Sequence, residues 1–189
     1  MKSVETEITT WYLEQTSPDD LVPARPAAVE VIRAEVPSPE FSRYLYFGVG
    51  GDYQWSDRLP WGYDEWAQWL ERPGSETWVA WDRGTPAGYA EFNPGDDGSV
   101  EIICFGLLPA FTGKGFGGHL LTEAVRRAWT LDERHDLPKT SRVWLHTCSL
   151  DGPAALPNYR ARGFRVYDTR FAIERVWARP LGPWPGSPR

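Results

Sequence analysis

From Leu120 to Ala128 the apolar residues recur at helical spacing. Leu120, Leu121, Ala124, Val125 and Ala128 form one stripe, with Glu123, Arg126 and Arg127 opposite. Helix signals extend from Gly115 to about Arg134. The runs on either side, Ser99 to Leu108 and Arg142 to Cys148, are apolar on both faces and read as buried central strands. Upstream, Thr77–Trp81 and Ala87–Phe92 flank the turn Asp82-Arg83-Gly84-Thr85-Pro86 and predict a β-hairpin, with a second turn over residues 93–98. Residues 5–14 alternate as a first strand, residues 29–36 form a short edge strand, and Phe164 to Val176 is the last strand. Ser38 caps a helix with Pro39 in its first turn, ending in the Gly48–Gly51 region. A second short helix begins at Tyr63, places Trp66 and Trp69 on one face, and ends near Pro73-Gly74. A third runs from Pro153 to Arg162, stopped by Gly163.

This order predicts a mixed α/β fold: a mostly antiparallel central sheet flanked by helices, with a parallel crossover in the second half. The length of 189 residues fits one domain. Its expected parts are N-terminal helices at about 37–72, a sheet-and-helix core at about 76–174, and an irregular Pro-rich tail at 178–189. A net charge of −6 argues against nucleic acid as the partner. No apolar run is long enough for a membrane span, and the first residues lack a signal-peptide pattern. Cys104 and Cys148 sit inside strand-like runs and read as reduced core residues of a cytoplasmic protein. His119, His135 and His146 lack metal-ligand spacing, so no metal is expected.

The densest chemical signal is LLPAFTGKGFGGHLL, with Gly113, Gly115, Gly117 and Gly118 at the start of a helix. Unpaired N–H groups and the helix dipole make such a start an anion site, and glycines let the backbone approach a diphosphate. A P-loop is excluded, because Leu108 and Gly115 stand where its first glycine and its Ser/Thr belong. A nicotinamide-dinucleotide fingerprint matches Gly113, Gly115 and Gly118. However, five residues separate the preceding strand from the first glycine, and the upstream hairpin is antiparallel.

A strand, a proline turn and a glycine-rich helix start resemble the GCN5-related N-acetyltransferase (GNAT) superfamily. The pyrophosphate motif of that family, Q/R-x-x-G-x-G/A, reads here from Thr112 to Gly117, with Thr112 replacing the usual Gln or Arg. A second signature, A-x-x-x-Y-x-x-x-G-F, is matched by Ala155, Tyr159, Gly163 and Phe164. The resemblance covers about residues 76–168. It implies acetyl-CoA as cosubstrate, held by Leu107, Leu108, Thr112, Gly113, Lys114, Gly115, Phe116, Gly117, Gly118 and Asn158. It also implies a splayed parallel strand pair at the cofactor site, with a bulge at Gly106 and the Leu107 N–H polarising the thioester. Tyr159 would protonate the departing thiolate, and Pro157 requires its helix to be short or kinked.

Attack needs a free amine, and therefore a proton acceptor. Glu101, the carboxylate of the central strand, is the first candidate and His146 on the neighbouring strand the rival. Glu91 and Asp52 are more remote. The acceptor site is expected between residues 44 and 69, where Tyr53, Trp55 and Asp52 with His146 would hold a cationic amine. Gly48, Gly50 and Gly51 suggest a mobile loop over it. The expected activity is N-acetylation of a primary amine, on a small molecule or peptide, by direct attack in a ternary complex. The alternative is a CoA-binding sensor or scaffold without turnover, which the Thr112 departure leaves open. A homodimer is compatible with the sequence.

Overall fold

The computed structural model describes Ser3 to Arg179; the tail expected to be irregular lies outside the described residues from position 180 onward. Seven strands form one sheet: β1 (Ser3–Gln15), β2 (Glu30–Arg33), β3 (Glu76–Asp82), β4 (Thr85–Pro94), β5 (Ser99–Leu107), β6 (Arg142–Cys148) and β7 (Arg165–Trp177). Four helices accompany them: α1 (Pro39–Gly50), α2 (Tyr63–Leu70), α3 (Phe116–Trp129) and α4 (Ala155–Ala161). The sheet order is β2-β3-β4-β5-β6-β1-β7. All neighbours are antiparallel except β5 and β6. The mixed, mostly antiparallel architecture is therefore as expected.

The position of β1 is not. It pairs antiparallel with both β6 and β7, so β6 and β7 run the same way with the first strand of the chain between them. The β6-α4-β7 crossover thus spans an inserted strand.

The apolar stripe of α3 covers one face of the sheet. Leu121, Ala124, Val125 and Ala128 pack with Leu13, Phe92, Val100, Ile102, Val143 and Leu145. On the other face, Leu45, Tyr46 and Val49 of α1 and Trp66 of α2 pack with Val79, Tyr89 and Cys104. The Ser38 hydroxyl accepts from the Phe41 N–H and caps α1, as its position before Pro39 predicts.

Three local expectations are corrected. Helix α3 stops at Trp129, short of Arg134, because Arg134 turns back to donate to the Thr130 carbonyl and to buried Glu76. Gly48 and Gly50 form no mobile loop: they lie inside α1, where Leu108 packs against one and the Trp55 ring against the other. A Cβ on Gly50 would stand 2.1 Å from that ring, so only glycine fits. The third concerns α4, which begins at Ala155 rather than Pro153. Pro157 therefore occupies its first turn, where a missing N–H costs little and no kink is needed.

Candidate active site

The parallel pair holds register over three residue pairs, Ser99 with Arg142, Val100 with Val143 and Glu101 with Trp144. Beyond Glu101 the two strands part, and β5 continues to Leu107 unpaired on that side. A cavity of about 970 Å³ occupies the fork and reaches both faces of the sheet. Asn158, Tyr159 and the glycine loop line one end; Trp55, Asp57 and His146 line the other.

The bulge on β5 lies at Ile103, three residues before Gly106. Its extra residue puts Ile103 and Cys104 against the same core and returns Phe105 to the α3 side. There Phe105 meets the Tyr159 ring edge-on, with centroids 5.8 Å apart. Gly106 serves packing instead, since a Cβ there would lie 2.4 Å from Val49 of α1.

At the end of β5 the Leu108 N–H donates to the Ala87 carbonyl, 2.9 Å away. Successive N–H groups of a strand point in opposite directions, so the Leu107 N–H points away from β4 toward the fork. Leu107 lines the cavity; Leu108 does not, and its side chain packs on α1.

The glycine loop follows. Gly113 and Gly115 have φ of +74° and +79°, the left-handed region, and Gly115 is the N-cap of α3. A Cβ at either position would meet nothing within 4 Å and would project into open space. Thr112, Gly113, Gly115, Gly117 and Gly118 line the cavity, at a helix start whose first N–H groups have no helical acceptor. The Thr112 hydroxyl donates to the Pro109 carbonyl and closes the preceding turn. Lys114 is exposed, with its ammonium 5.0 Å from the Phe111 ring centre, and the side chain of Phe116 is core. Sequence reasoning missed Arg162. Its Nη1 lies 3.2 Å from where a Cβ on Gly118 would be, which sets a guanidinium beside the loop. Only the packing of α4 against α3 brings it there.

Tyr159 is 5% exposed and lines the cavity. Burial, with the charge of Asp151 adding, holds its phenol far above the usual tyrosine range, so the hydroxyl keeps its proton at any working pH.

On the opposite face, Glu101 is 6% exposed and does not line the cavity. Its carboxylate accepts from Asn93 Nδ2 at 3.1 Å and meets His146 Nδ1 at 3.2 Å. His146 does line the cavity, and its side chain is 45% exposed. The hydrogen bond to Glu101 raises the His146 pKa above the ordinary 6.5; burial opposes this, and the charges of Glu101, Asp151 and Asp57 reinforce it.

The aromatic segment has an occupant of its own. Arg58 is 5% exposed and lies over the rings of Tyr46, Trp61, Trp66 and Trp69, at 4.4–5.4 Å from their centres. Its guanidinium grips fully buried Glu91 with two hydrogen bonds, and Trp69 donates to the same carboxylate at 2.6 Å. These rings therefore enclose a resident cation, and Glu91 is committed to it. Tyr53 and Trp55 reach the cavity while Asp52 does not. Asp57, a carboxylate of the expected acceptor segment, lines it, as do Asp151 and Tyr12, which sequence reasoning missed.

Among the described residues no group of three potential metal ligands comes together. No described helix is long and apolar enough to cross a membrane.

Residues 40–164 match the family model described as Acetyltransferase (GNAT) family. The chain belongs to the GNAT acetyltransferase family. Among solved structures, this GNAT chain is similar in fold to a GCN5-related N-acetyltransferase from Kribbella flavida. The TM-score is 0.61 and the identity 19%, over 95% of this chain and 61% of that one. A GCN5-related N-acetyltransferase from Sphaerobacter thermophilus gives 0.57 and 19%, over 95% of this chain and 53% of that one. A tandem GNAT protein from the clavulanic acid biosynthesis pathway gives 0.58 and 17%, over 90% and 55%. The GNAT chain thus spans less than two thirds of the length of each of these. Among curated proteins none matches.

Proposed function

We propose that this chain moves an acetyl group from acetyl-CoA to a primary amine by direct attack in a ternary complex. The observation that carries this reading is the fork between β5 and β6. It opens one cavity from the glycine loop to His146, across the sheet. The loop fits a diphosphate, because its left-handed glycines leave open space where side chains would stand. Acetyl-CoA, when bound, supplies the activated acyl group. The chain's residues do the rest. N–H groups of residues 113–118 hold the diphosphate, with Arg162 beside them. The Leu107 N–H donates to the thioester carbonyl oxygen. Nε2 of His146 takes the proton of the attacking amine, and Glu101 holds that ring from behind. The Tyr159 hydroxyl gives a proton to the departing sulfur.

The acceptor end favours a cation. Asp57, Asp151 and Glu174 line it with Tyr12, Tyr53 and Trp55. Arg175 is the opposing charge; Arg58 is already neutralised by Glu91.

Three measurements test the reading. Acetyl-CoA at about 100 times its dissociation constant should stabilise the fold by roughly 2.7 kcal/mol, and NAD should not. Thiol release should then appear with one or more members of an amine panel. Tyr159→Phe should lower kcat about 10–100-fold while leaving acetyl-CoA affinity within about twofold. A shift with acetyl-CoA but no thiol release from any amine would favour a CoA-binding sensor. An unchanged rate in Tyr159→Phe would remove the phenol from the reaction.

A further inference from the structure

A chain of hydrogen bonds crosses three strands behind His146. Arg72, just beyond α2, donates from Nη1 to Asn93 Oδ1 at 2.8 Å. Asn93 on β4 donates from Nδ2 to Glu101 Oε2 at 3.1 Å. Glu101 on β5 faces Nδ1 of His146 on β6 through Oε1, at 3.2 Å. Glu101 belongs to the last residue pair before the strands part, so it reaches His146 diagonally across the start of the fork.

The direction of this chain follows from donor and acceptor chemistry. A guanidinium can only donate. Arg72 therefore requires the oxygen of the Asn93 amide on its side, which turns the NH₂ toward Glu101. Glu101 then accepts at Oε2 as a carboxylate and accepts again at Oε1. The remaining partner, Nδ1 of His146, must carry hydrogen, which leaves the lone pair on Nε2. Arg72 is itself held. Its Nε donates to the Trp69 carbonyl at 3.0 Å and its guanidinium lies 3.4 Å from the Trp69 ring centre.

We propose that Arg72 and Asn93 are positioning residues that set the His146 tautomer, so that Nε2 is the proton acceptor. The assignment rests on His146 acting as the base, but its structural half can be read without turnover. The charged and aromatic groups around His146 are Glu101 on β5, Asp57 after α1, Asp151 after β6, Tyr12 on β1 and Trp144 on its own strand. None of these others is hydrogen-bonded to Nδ1 among the described residues.

Nitrogen-15 NMR of the histidine ring, at a pH where it is neutral, reads the tautomer directly. The wild type should show His146 as the Nδ1–H form alone. Arg72→Met lets the Asn93 amide turn its oxygen toward Glu101, and Asn93→Leu removes the amide; either change unseats the Glu101 carboxylate that holds Nδ1–H, and both variants should show a mixture of tautomers. In each, kcat should fall about tenfold with the acetyl-CoA KM unchanged. Arg72→Lys restores a donor-only group and should recover the single tautomer. Thermal unfolding identifies a variant that fails to fold, and the other variant, read against Arg72→Lys, then carries the test. An Nε2–H ring in the wild type overturns the proposal, as does an unaltered tautomer in both variants. Tautomer changes as expected without turnover in any amine would leave the relay standing and remove the transferase reading.

The outer strand carries a second, independent inference. Edge strands are commonly kept short or broken by proline. The edge strand β2 has four residues. At the other end β7 has thirteen, no proline, and pairs only with β1 among the described residues. Phe171 and Ile173 on it are 70% and 73% exposed. From Asp168 to Trp177 its register with β1 is unbroken. Paired antiparallel with a second copy about Ala172, this stretch is self-complementary. Arg170 faces the partner's Glu174, Phe171 faces the partner's Ile173, and Thr169 faces the partner's Arg175.

We infer that β7 pairs with β7 of a second copy and continues the sheet. Glu174 lines the cavity, so the partner's Arg170 would stand at its mouth. Sedimentation velocity should show a wild-type dimer, and monomers for Arg170→Glu and for Glu174→Arg. Mixing the two variants should restore a dimer, since every opposed pair then carries unlike charges. A monomeric wild type overturns the inference; if deleting residues 180–189 then yields a dimer, the chain's own tail is the occupant. A dimer indifferent to both substitutions, or no heterodimer on mixing, also overturns it.

Discussion

Replacing His146 with glutamine should lower the maximal rate of acetyl transfer about 10²–10⁴-fold, the usual contribution of a positioned general base. Acetyl-CoA affinity should hold, because His146 sits at the far end of the cavity from the glycine loop. The same group predicts the pH profile. A base must be neutral to act, so kcat/KM should fall as pH drops through the His146 pKa. Its hydrogen bond to Glu101 raises that pKa, so the acidic limb should lie above pH 6.5. Glu101→Gln removes the charge that favours the imidazolium, and the limb should move to lower pH. Profiles of wild type, His146→Gln and Glu101→Gln with one amine keep the ionisation of the acceptor common to all. A full rate in His146→Gln, with the limb still present, would assign the proton to water.

Arg58→Met should cost about 3–5 kcal/mol, the usual penalty for leaving one member of a buried ion pair alone. Glu91 is fully buried, and among the described residues its carboxylate would retain only the Trp69 N–H as side-chain donor. For a chain of this size the loss corresponds to a fall in Tm of roughly 6–20 °C. Removing both charges, as Arg58→Met with Glu91→Leu, should recover a large part, because no unpaired ion then remains. Thermal unfolding of the two single variants and the double variant completes the cycle. If the double variant falls by the sum of the singles, the pair is not coupled and the rings alone hold this region. The catalytic consequence follows from location: Arg58 fixes the segment that carries Tyr53, Trp55 and Asp57 into the acceptor end. A weakened cage should therefore raise the acceptor KM more than the acetyl-CoA KM.

Local patterning made much of the fold legible. Helical spacing marked α3, the Ser38-Pro39 pair marked the start of α1, and Gly163, with φ of +91°, stops α4 as its position suggested. These are readable because each depends on residues within one or two turns. The bulge was harder. Gly106 drew attention as the residue without a side chain, yet the extra residue is Ile103, because Gly106 is needed for the approach of Val49. Aromatic residues and carboxylates in residues 44–69 suggested a cage for a ligand. The density of rings was legible, but that Arg58 fills their centre depends on Glu91, 33 positions away.

The order and type of the elements, the glycine loop and the tyrosine helix are written in short stretches of chain, where spacing and backbone sterics decide. Three features arise from distant segments meeting, and no local pattern encodes them. The insertion of β1 between β6 and β7 is a matter of which strand edges are free to pair. Glu101 and His146 exchange places as candidate base, since burial leaves the carboxylate behind the ring and the imidazole facing the cavity. The relay from Arg72 through Asn93 exists because four segments bring complementary donors and acceptors into line on one face of the sheet, where each leaves its neighbour a single orientation.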